Sequence, residues 1–444
     1  MTLATMDERH QHALKLLAER QVLLAEQVYL KILLDSPHDL TALRALAGAS
    51  VHKGDFNAAI HYLQTGISAN PEHHQLKLDC AVVLAKSGEV REGANIVEAL
   101  LAQAPELFDA WLLLVDMRDA LGDATGALRA CYEAVTRAQR KGYWLDEQTT
   151  PLPIMDQVVS AIERVRVGKR QIYSDSYLRL RQTFGSKELA RVDRALAGYL
   201  REIEYPSRDS RQKPKFFFFP DLPNNAYHDP FLHPWAARLQ SRFAGIRKEA
   251  LQVWEEDQKF QNFLELSNRA RKEDYLQGSG ANPAWEAFFF YRRGKRFDEN
   301  HARCPQTSAA LDSIDLCNIS EQAPEICFSV LRPGTHIMPH YGVSNVRLVM
   351  HLPLLIPENC ALNVIDVGEH HWREGELMLF DDTFQHEAWN RSDSTRIVLL
   401  MDCWNPHLTS VERLAMKELI ETISGFQLAD RAARAHEIAA GNQP

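Results

Sequence analysis

Apolar residues recur at helical spacing through the first third of the chain. The segments LTALRALAGASVHKG and DFNAAIHYLQTGISANP place them three or four positions apart, which predicts two amphipathic helices joined by a short turn. Two sets of residues punctuate this pattern at intervals of 34 residues: Gly54, Gly88 and Gly122, and Pro37, Pro71 and Pro105. A fixed period of this length predicts about four helix-turn-helix repeats over residues 6–141.

The period resembles that of the tetratricopeptide repeat, which forms a helical solenoid. Small and aromatic residues stand at matching positions: Ala47, Ala59, Ala81, Ala127, Ala134 and Trp111. Gly93 replaces an expected alanine, and Arg20 stands where the first unit would carry its turn glycine, as in a capping repeat. The resemblance implies a concave surface that holds a peptide or a partner protein. Packing against the rest of the chain, or dimerisation, is the alternative.

The repeat register is lost after residue 141, although apolar spacing in MDQVVSAIERVRV and ELARVDRALAGYLREI remains helical. We therefore predict a helical connector over residues 142–212. Aromatic residues, prolines and turn residues then come together in KFFFFPDLPNNAYHDP, which indicates the start of a second domain at residue 213.

Beyond Ala323 the pattern becomes typical of short strands. The apolar runs are ICFSVLR, VRLVMHLPLLI, ALNVIDV, ELMLF and TRIVLLMDCW, separated by Gly, Pro, Asn and Asp. Successive strands without intervening helices predict a barrel or a sandwich over residues 213–410. The remaining residues, 411–444, return to helical spacing. The expected fold class is α+β multidomain, with an all-α solenoid ahead of a β domain.

Composition and charge exclude several classes of protein. The net charge of −9, with dispersed lysines and arginines, argues against a nucleic-acid partner. No segment has the roughly 18 consecutive apolar residues of a membrane span, and the first residues lack the pattern of a secretory signal, so we expect a cytoplasmic protein. The seven scattered cysteines contain no CxxC pair and are interpreted as reduced, mostly buried thiols.

Two histidines flank the strand-rich region and are candidate iron ligands. His340 lies in GTHIMPHYG, interpreted as a loop after one strand, and His386 follows the strand ELMLF. Strand alternation in VRLVMHL places Arg347, Val349 and His351 on one face, which we expect to be the face that lines the site.

Arg396 begins the strand TRIVLLMD and is expected to lie deep in the barrel. A buried guanidinium requires an anion, and its planar shape suits a carboxylate. Either a ligand supplies that carboxylate, or Arg396 forms a salt bridge with Asp381, Asp382 or Asp402.

The segments FSVLRPGTHIMPHYGVSNVRLVMHLPL and WREGELMLFDDTFQHEAWNRSDSTRIVLLMDCWNPHLT resemble the catalytic core of the aspartyl/asparaginyl β-hydroxylase family. The resemblance implies a double-stranded β-helix that uses Fe(II), 2-oxoglutarate and dioxygen. It further implies a peptide or protein substrate, hydroxylated at the β-carbon of an Asp or Asn residue. A repeat domain ahead of the catalytic domain also recurs in that family.

Carried over residue by residue, the resemblance implies a role for each candidate. The iron ligands fall on His340 and His386. Ser329 and Arg396 fall on the pair that grips the distal carboxylate of 2-oxoglutarate, and His351 falls on a residue near the metal-binding end of that co-substrate. Arg347 matches a basic residue of the active-site strand and is expected to contact the cofactor.

Two positions depart from the family pattern. Val349 replaces an arginine that contacts a carboxylate of the co-substrate or substrate in many members. Gly342 stands where the wider oxygenase superfamily carries an acidic third ligand. The animal hydroxylases of the family and certain iron halogenases also lack that acidic residue.

These departures leave alternatives open. The substrate could instead be a lipid acyl chain or a biosynthetic small molecule, and the reaction could be halogenation. A repeat scaffold fused to a β-helix that only binds its ligand is a further alternative. A metal-dependent hydrolase is disfavoured because the chain has no HExxH motif.

Overall fold

A computed structural model describes residues 5–204, 209–264, 274–278 and 284–441. The chain divides into two compact units, one formed by residues 1–169 with 429–444 and the other by residues 170–428. The division falls inside the predicted connector, residues 142–212.

Residues 6–140 of the first unit form eight helices of similar length that follow one another in pairs. They are α1 (Met6–Ala18), α2 (Val22–Asp35), α3 (Leu40–His52), α4 (Phe56–Ala69), α5 (His74–Ser87), α6 (Val90–Gln103), α7 (Phe108–Ala120) and α8 (Ala124–Arg140). Each helix packs mainly on its neighbours in sequence, as a solenoid requires. The predicted repeat region is therefore confirmed as an all-helical array.

The turn within each pair is set by one residue with positive φ. Arg20, Gly54, Gly88 and Gly122 have φ values of 60, 77, 97 and 72°. Glycine adopts this conformation without steric cost, whereas an arginine side chain does so at some expense. Arg20 thus occupies the turn position of the first repeat, in register with the three glycines.

Gly93 has a packing reason for replacing alanine. A Cβ atom built on it would lie 2.7 Å from the carbonyl oxygen of Ala81 and 3.4 Å from the Cε of Met117. Helices α5 and α6 therefore approach each other more closely here than an alanine allows.

Eight further helices lie in the described residues. They are α9 (Met155–Ser176), α10 (Leu178–Phe184), α11 (Ala190–Tyr199), α12 (Ala236–Ser241), α13 (Phe243–Asp257), α14 (Asp298–Arg303), α15 (Pro305–Leu311) and α16 (Ser410–Gly441). Two short 3₁₀ turns lie at Leu152–Ile154 and Pro230–Leu232. Helix α16 follows the last strand, in the segment where the sequence returns to helical spacing. Among the described helices, none combines the length and the apolar run needed to cross a bilayer.

The described part of the second unit contains thirteen strands. They are β1 (Tyr227–His228), β2 (Gln261–Asn262), β3 (Leu276–Gly278), β4 (Trp285–Arg292), β5 (Lys295–Arg296), β6 (Ile326–Leu331), β7 (Thr335–His340), β8 (Arg347–Leu355), β9 (Cys360–Val364), β10 (Gly368–His370), β11 (Met378–Phe380), β12 (His386–Asn390) and β13 (Arg396–Trp404).

These strands form two antiparallel sheets. The larger has the order β1-β11-β8-β13-β6-β4-β2, with β5 paired to β4, and the smaller has the order β10-β9-β12-β7-β3. From β6 to β9 successive strands alternate between the two sheets, and β11 to β13 do the same. This is the topology of a double-stranded β-helix, so the predicted fold class is confirmed.

Strand β8 shows how the larger sheet separates the core from the cavity. Leu348, Met350 and Leu352 are fully buried in a cluster with Ile246 and Val253 of α13, on the outer face of the sheet. The alternate residues of the same strand point between the sheets. Strand alternation therefore predicted both faces of β8 correctly.

Eight of the described strands were not recognised in the sequence, and three of these are longer than three residues: β4, β7 and β12. In β4, six consecutive residues from Trp285 to Phe290 are buried, so no alternation marks it as a strand. β7 and β12 are five or six residues long, and they end and begin at the two candidate histidines. The expectation that His340 lies on a loop was wrong: it is the last residue of β7.

All seven cysteines are free and buried. Their burial confirms the prediction of mostly buried thiols, which pack as small apolar residues, and their reduced state stays a prediction.

Candidate active site

A cavity of about 150 Å³ lies between the two sheets. It brings together all six residues that the sequence proposed for the site: Ser329, His340, Arg347, His351, His386 and Arg396. Other polar and aromatic side chains share its wall: Trp285, Glu325, Phe380, Asp382 and Asp402.

The two histidines face each other across paired strands. His386 of β12 is the register partner of His340 of β7, and their ring centroids lie 4.2 Å apart. Each Nδ1 donates to a backbone carbonyl two residues earlier, that of Met338 at 2.8 Å for His340 and that of Phe384 at 2.9 Å for His386. This bond fixes the proton on Nδ1 and leaves the lone pair on Nε2, which is the arrangement of a metal-binding imidazole.

Burial keeps both imidazoles neutral. It lowers the pKa of His386 to about 3, with the neighbouring His340 as a further cause. Burial likewise lowers the pKa of His340. Both rings are therefore uncharged at neutral pH, with Nε2 unprotonated, and can act as metal ligands.

Asp382 occupies the space that a side chain at Gly342 would need. A Cβ atom built on Gly342 would overlap the Asp382 carboxyl group, and the Gly342 N–H donates to the Asp382 carbonyl oxygen at 2.5 Å. The carboxyl group is buried, and its Oδ1 has no hydrogen-bond partner in the described part of the chain. A carboxyl group is thus present near the histidines, but it comes from the segment after β11 rather than from position 342.

Arg396 is a buried cation whose partners are neutral. Its Nη1 donates to the carbonyl oxygen of Ser329 at 3.2 Å and to the Ser329 hydroxyl at 3.4 Å, and the guanidinium lies 4.9 Å from the ring centroid of Trp372. Its Nε has no partner among the described residues. Burial lowers the pKa of Arg396 to about 10.

The salt bridges considered for Arg396 are not formed. Asp382 and Asp402 both pair with Arg347 instead. Asp381 accepts hydrogen bonds from Gln212 at 2.8 Å and from the Thr383 N–H at 2.9 Å. The described structure therefore gives Arg396 no carboxylate, and the anion that this cation requires is left to a ligand.

Two tryptophans orient the polar groups beside Arg396. The indole N–H of Trp285 donates to the hydroxyl of Ser329 at 2.9 Å, and that of Trp372 donates to Nδ1 of His351 at 3.2 Å. An indole N–H can only donate, so Ser329 keeps its own proton to offer and His351 carries its proton on Nε2. That Nε2 is buried and has no partner in the described chain.

Arg347 lies at another part of the cavity wall and is paired. Its Nη1 lies 2.7 Å from Asp402 and 3.4 Å from Asp382. Burial alone would lower the pKa of Arg347, but the two aspartates raise it above its usual value. Its charge is neutralised within the protein, and its expected contact with a cofactor stays a prediction.

Several residues in or beside the cavity were not identified as site residues in the sequence. They include Trp285, Asp382 and Asp402 of its wall, and Trp372, which contacts His351 and Arg396. Trp285 lies in the unrecognised strand β4, and Trp372 lies before β11. Asp382 was considered only as a partner of Arg396, although its place four residues before His386 put it near the candidate metal site.

The donors in the cavity fit two kinds of ligand. Two neutral imidazoles with free Nε2 atoms suit a divalent metal ion of the iron or zinc class. In the described residues, no set of three or more His, Cys, Asp or Glu side chains forms a ready metal site, so a metal here would rely on the histidine pair. The unsatisfied Arg396 Nε and His351 Nε2, with the Ser329 hydroxyl, suit a carboxylate-bearing molecule.

The fold and cavity define a double-stranded β-helix domain with a cavity between its two sheets, preceded in the sequence by a helical repeat array. The model of the aspartyl/asparaginyl beta-hydroxylase family matches residues 240–406, and a tetratricopeptide repeat model matches residues 50–115. The chain belongs to the aspartyl/asparaginyl β-hydroxylase family and carries tetratricopeptide repeats ahead of the family domain.

Three curated relatives illustrate the match. Human aspartate beta-hydroxylase domain-containing protein 2 is 34% identical over 215 residues, 47% of this chain and 55% of that protein. Ornithine lipid ester-linked acyl 2-hydroxylase from Rhizobium tropici is 31% identical over 229 residues, 51% and 75% of the two chains. Human aspartyl/asparaginyl beta-hydroxylase is 34% identical over 141 residues, 30% and 17%. The chain thus spans just over half of the first relative and three quarters of the second.

Proposed function

We propose that this protein is an Fe(II)- and 2-oxoglutarate-dependent dioxygenase that hydroxylates a C–H bond. The observation that carries the proposal is Arg396, a buried arginine with no acidic partner in the described chain, in one cavity with a pair of neutral histidines. A cation in such a place is costly unless a ligand supplies the opposite charge. 2-Oxoglutarate has a carboxylate at each end, so it can satisfy Arg396 and also reach a metal ion.

His340 and His386 would hold the iron through their Nε2 atoms. Their Nδ1 bonds to the Met338 and Phe384 carbonyls keep both rings in the ligating tautomer without the cost of reorientation. With 2-oxoglutarate and dioxygen, ferrous iron supplies the chemistry that replaces C–H by C–OH while the co-substrate is converted to succinate and carbon dioxide.

The protein's own contribution is to bind and orient the co-substrate. Arg396 and Ser329 would bind its distal carboxylate. The Trp285 indole N–H donates to the Ser329 oxygen, so the Ser329 hydroxyl would donate its own proton to that carboxylate. His351 would donate its Nε2–H near the metal-binding end. A single carboxylate beside Arg396 would neutralise its charge and so offset the free-energy cost of burying the cation.

The substrate we propose is an Asp or Asn residue in a peptide or protein, hydroxylated at its β-carbon. The named activity of the human relative supports this substrate class, and the tetratricopeptide repeats offer a surface that would hold the peptide. A lipid acyl chain is the second candidate, favoured by the match to the R. tropici acyl hydroxylase over 75% of that protein.

An anaerobic binding experiment tests the cofactor proposal. Fe(II) and 2-oxoglutarate added to the full-length protein should give a weak visible metal-to-ligand charge-transfer band. His340→Ala should abolish it. His336→Ala is the matched control, because His336 lies on the same strand but pairs with Glu387 at 2.7 Å and does not line the cavity. Absence of the band in the wild-type protein would favour the alternative of a non-catalytic binding module.

Turnover separates the reaction and substrate alternatives. Under air, the protein should convert 2-oxoglutarate to succinate, and its true substrate should stimulate the rate. Asp- or Asn-containing peptides are compared with ornithine lipid, and products are weighed by mass spectrometry. A gain of one oxygen supports hydroxylation, whereas a chloride-dependent gain of chlorine would contradict it in favour of a halogenase.

A further inference from the structure

Helix α2 carries an apolar stripe on its solvent face. Leu23, Gln27, Leu30 and Leu34 are spaced by four, three and four residues, and together they are called the leucine stripe. The three leucines are 68%, 46% and 82% exposed. This spacing places all four side chains on one side of a helix, as in the seam of a coiled coil.

The stripe is not part of the core of the repeat array. Helix α2 buries a different set of side chains, Ala25, Tyr29 and Ile32, which are at most 2% exposed. Its contacts within the array are with α1 and α3. The leucines of the stripe therefore add apolar surface that the fold of the first repeat does not use.

The next two repeats show what the fold itself requires at these positions. One period of 34 residues later, the same positions are Asn57, His61, Gln64 and Ser68, and all four are exposed. Two periods later they are Arg91, Asn95, Glu98 and Ala102. A solvent-facing polar residue is the usual choice at this face, so leucines at three of the four positions in the first repeat are a local addition.

The spacing of the stripe also points to its partner. Read from either end of the helix it is four, three, four, so it matches itself when a second copy runs in the opposite direction. Leu23 would then meet the partner's Leu34, and Gln27 would meet the partner's Leu30. A surface that is complementary to itself about a two-fold axis is what an isologous homodimer requires.

We propose that the leucine stripe of α2 is an interface between two copies of this chain, with α2 packed against α2 across a two-fold axis. The helix has 14 residues and is about 21 Å long. One helix pair buries less than a standard interface of about 1,600 Å², so the dimer is weak, with a dissociation constant on the order of 10 µM.

Sedimentation velocity of the full-length protein tests the proposal over a concentration range of roughly 1–200 µM, which brackets the expected constant. The wild-type protein should shift from monomer to dimer across this range. The variant Leu23→Asn/Leu30→Gln/Leu34→Ser takes its residues from the second repeat, which tolerates them in the same structural context. It should remain monomeric, a weakening of at least about tenfold.

Two further variants make the test specific. Leu152→Ser removes another leucine of the first unit, 85% exposed and outside the stripe, and should dimerise like the wild type. Gln27→Leu removes the polar residue from the seam and should tighten the dimer by about tenfold, since a polar residue at such a position costs stability. Circular dichroism checks that each variant keeps its helix content.

The opposite results are equally clear. A wild-type protein that stays monomeric over the whole range overturns the proposal. So does a dimer that the triple variant leaves intact, because the contact then lies elsewhere. If the triple variant loses helix content, Gln27→Leu decides: tighter association supports the stripe, and unchanged association refutes it.

Discussion

Arg347 and Arg396 are both buried in the same cavity, yet their surroundings differ. Arg347 has two aspartates within 3.4 Å, and they raise its pKa. Arg396 donates to Ser329, lies over the ring of Trp372 and pairs with no carboxylate in the described chain, and burial lowers its pKa to about 10. The charge of Arg347 is neutralised by aspartates of the protein, whereas the charge of Arg396 is not paired with a carboxylate in the described chain.

The difference separates a structural cation from a binding cation. A paired buried charge contributes to the fold because its removal leaves the partners unsatisfied. An unpaired buried charge costs stability until a ligand arrives, so its presence indicates binding.

Arg347→Met should destabilise the protein by about 3–5 kcal/mol, because it leaves Asp382 and Asp402 buried without their cation. Urea unfolding of the apo-protein measures the change. The double variant Arg347→Met/Asp402→Asn should recover part of the loss by removing one of the stranded carboxylates. A loss below about 1 kcal/mol would mean that the pair is not structural.

Arg396→Met should have the opposite signature. It removes an uncompensated charge, so the stability of the apo-protein should be unchanged or higher, within about 1 kcal/mol. The affinity for 2-oxoglutarate in the presence of Fe(II) should fall by about 100-fold or more, because the distal carboxylate loses a charged bidentate donor. Anaerobic calorimetry measures the affinity.

Arg391→Met is the control for that measurement, since Arg391 is exposed and stacks on Trp389 outside the cavity. It should bind 2-oxoglutarate like the wild type. If Arg396→Met destabilised the apo-protein by several kcal/mol, the division between the two arginines would fail.

The pH dependence of stability tests the pairing of Arg347 with Asp402. Burial raises the pKa of Asp402 to about 7, although Arg347 opposes the shift. The folded state then binds this proton more tightly than the unfolded chain, whose carboxyl titrates near 4, so its contribution to stability is full below pH 4 and is lost as the pH rises through about 7.

Wild-type stability should therefore fall by about 1–3 kcal/mol between pH 5 and pH 8 from this group, and Asp402→Asn should flatten that part of the profile. Chemical unfolding at the two pH values measures both. An unchanged slope in the variant would show that Asp402 is fully ionised beside Arg347.

Trp372→Phe should produce the smallest change. The ring remains to stack on Arg396, but the N–H that fixes the proton of His351 on Nε2 is lost. We expect the KM for 2-oxoglutarate to rise by about 3–10-fold with little change in stability, as for one hydrogen bond that orients a donor. An unchanged KM, alongside a clear loss for Arg396→Met, would limit recognition to Arg396 and Ser329.

Sequence patterns predicted much of this molecule because they record periodic burial. The 34-residue period located the repeats, and the alternation of VRLVMHL located both faces of β8. Where burial is continuous the signal disappears, which is why β4 was missed. The histidines at the ends of β7 and β12 were found by type and motif, but their direct pairing depends on strand register, which no local pattern encodes.

The difference in pairing between Arg347 and Arg396 could not be predicted from the sequence. All three aspartates near Arg396 in sequence or space were plausible partners, and only the three-dimensional arrangement assigns two of them to Arg347. The hydrogen bonds of the two indole groups could not be predicted either, because they join residues that are distant in sequence. Trp285 and Ser329, for example, are 44 residues apart. Such polar pairs are set by tertiary packing rather than by propensity.

The overlap between Gly342 and Asp382 has a consequence for redesign. The two positions compete for one volume, so a side chain at 342 can be accommodated only if residue 382 gives it up. An attempt to build a three-ligand metal site by Gly342→Asp alone would drive the new carboxylate into the existing one. The double variant Gly342→Asp/Asp382→Ala would avoid this clash, because it moves the one carboxylate from residue 382 to residue 342 on the neighbouring segment of the chain.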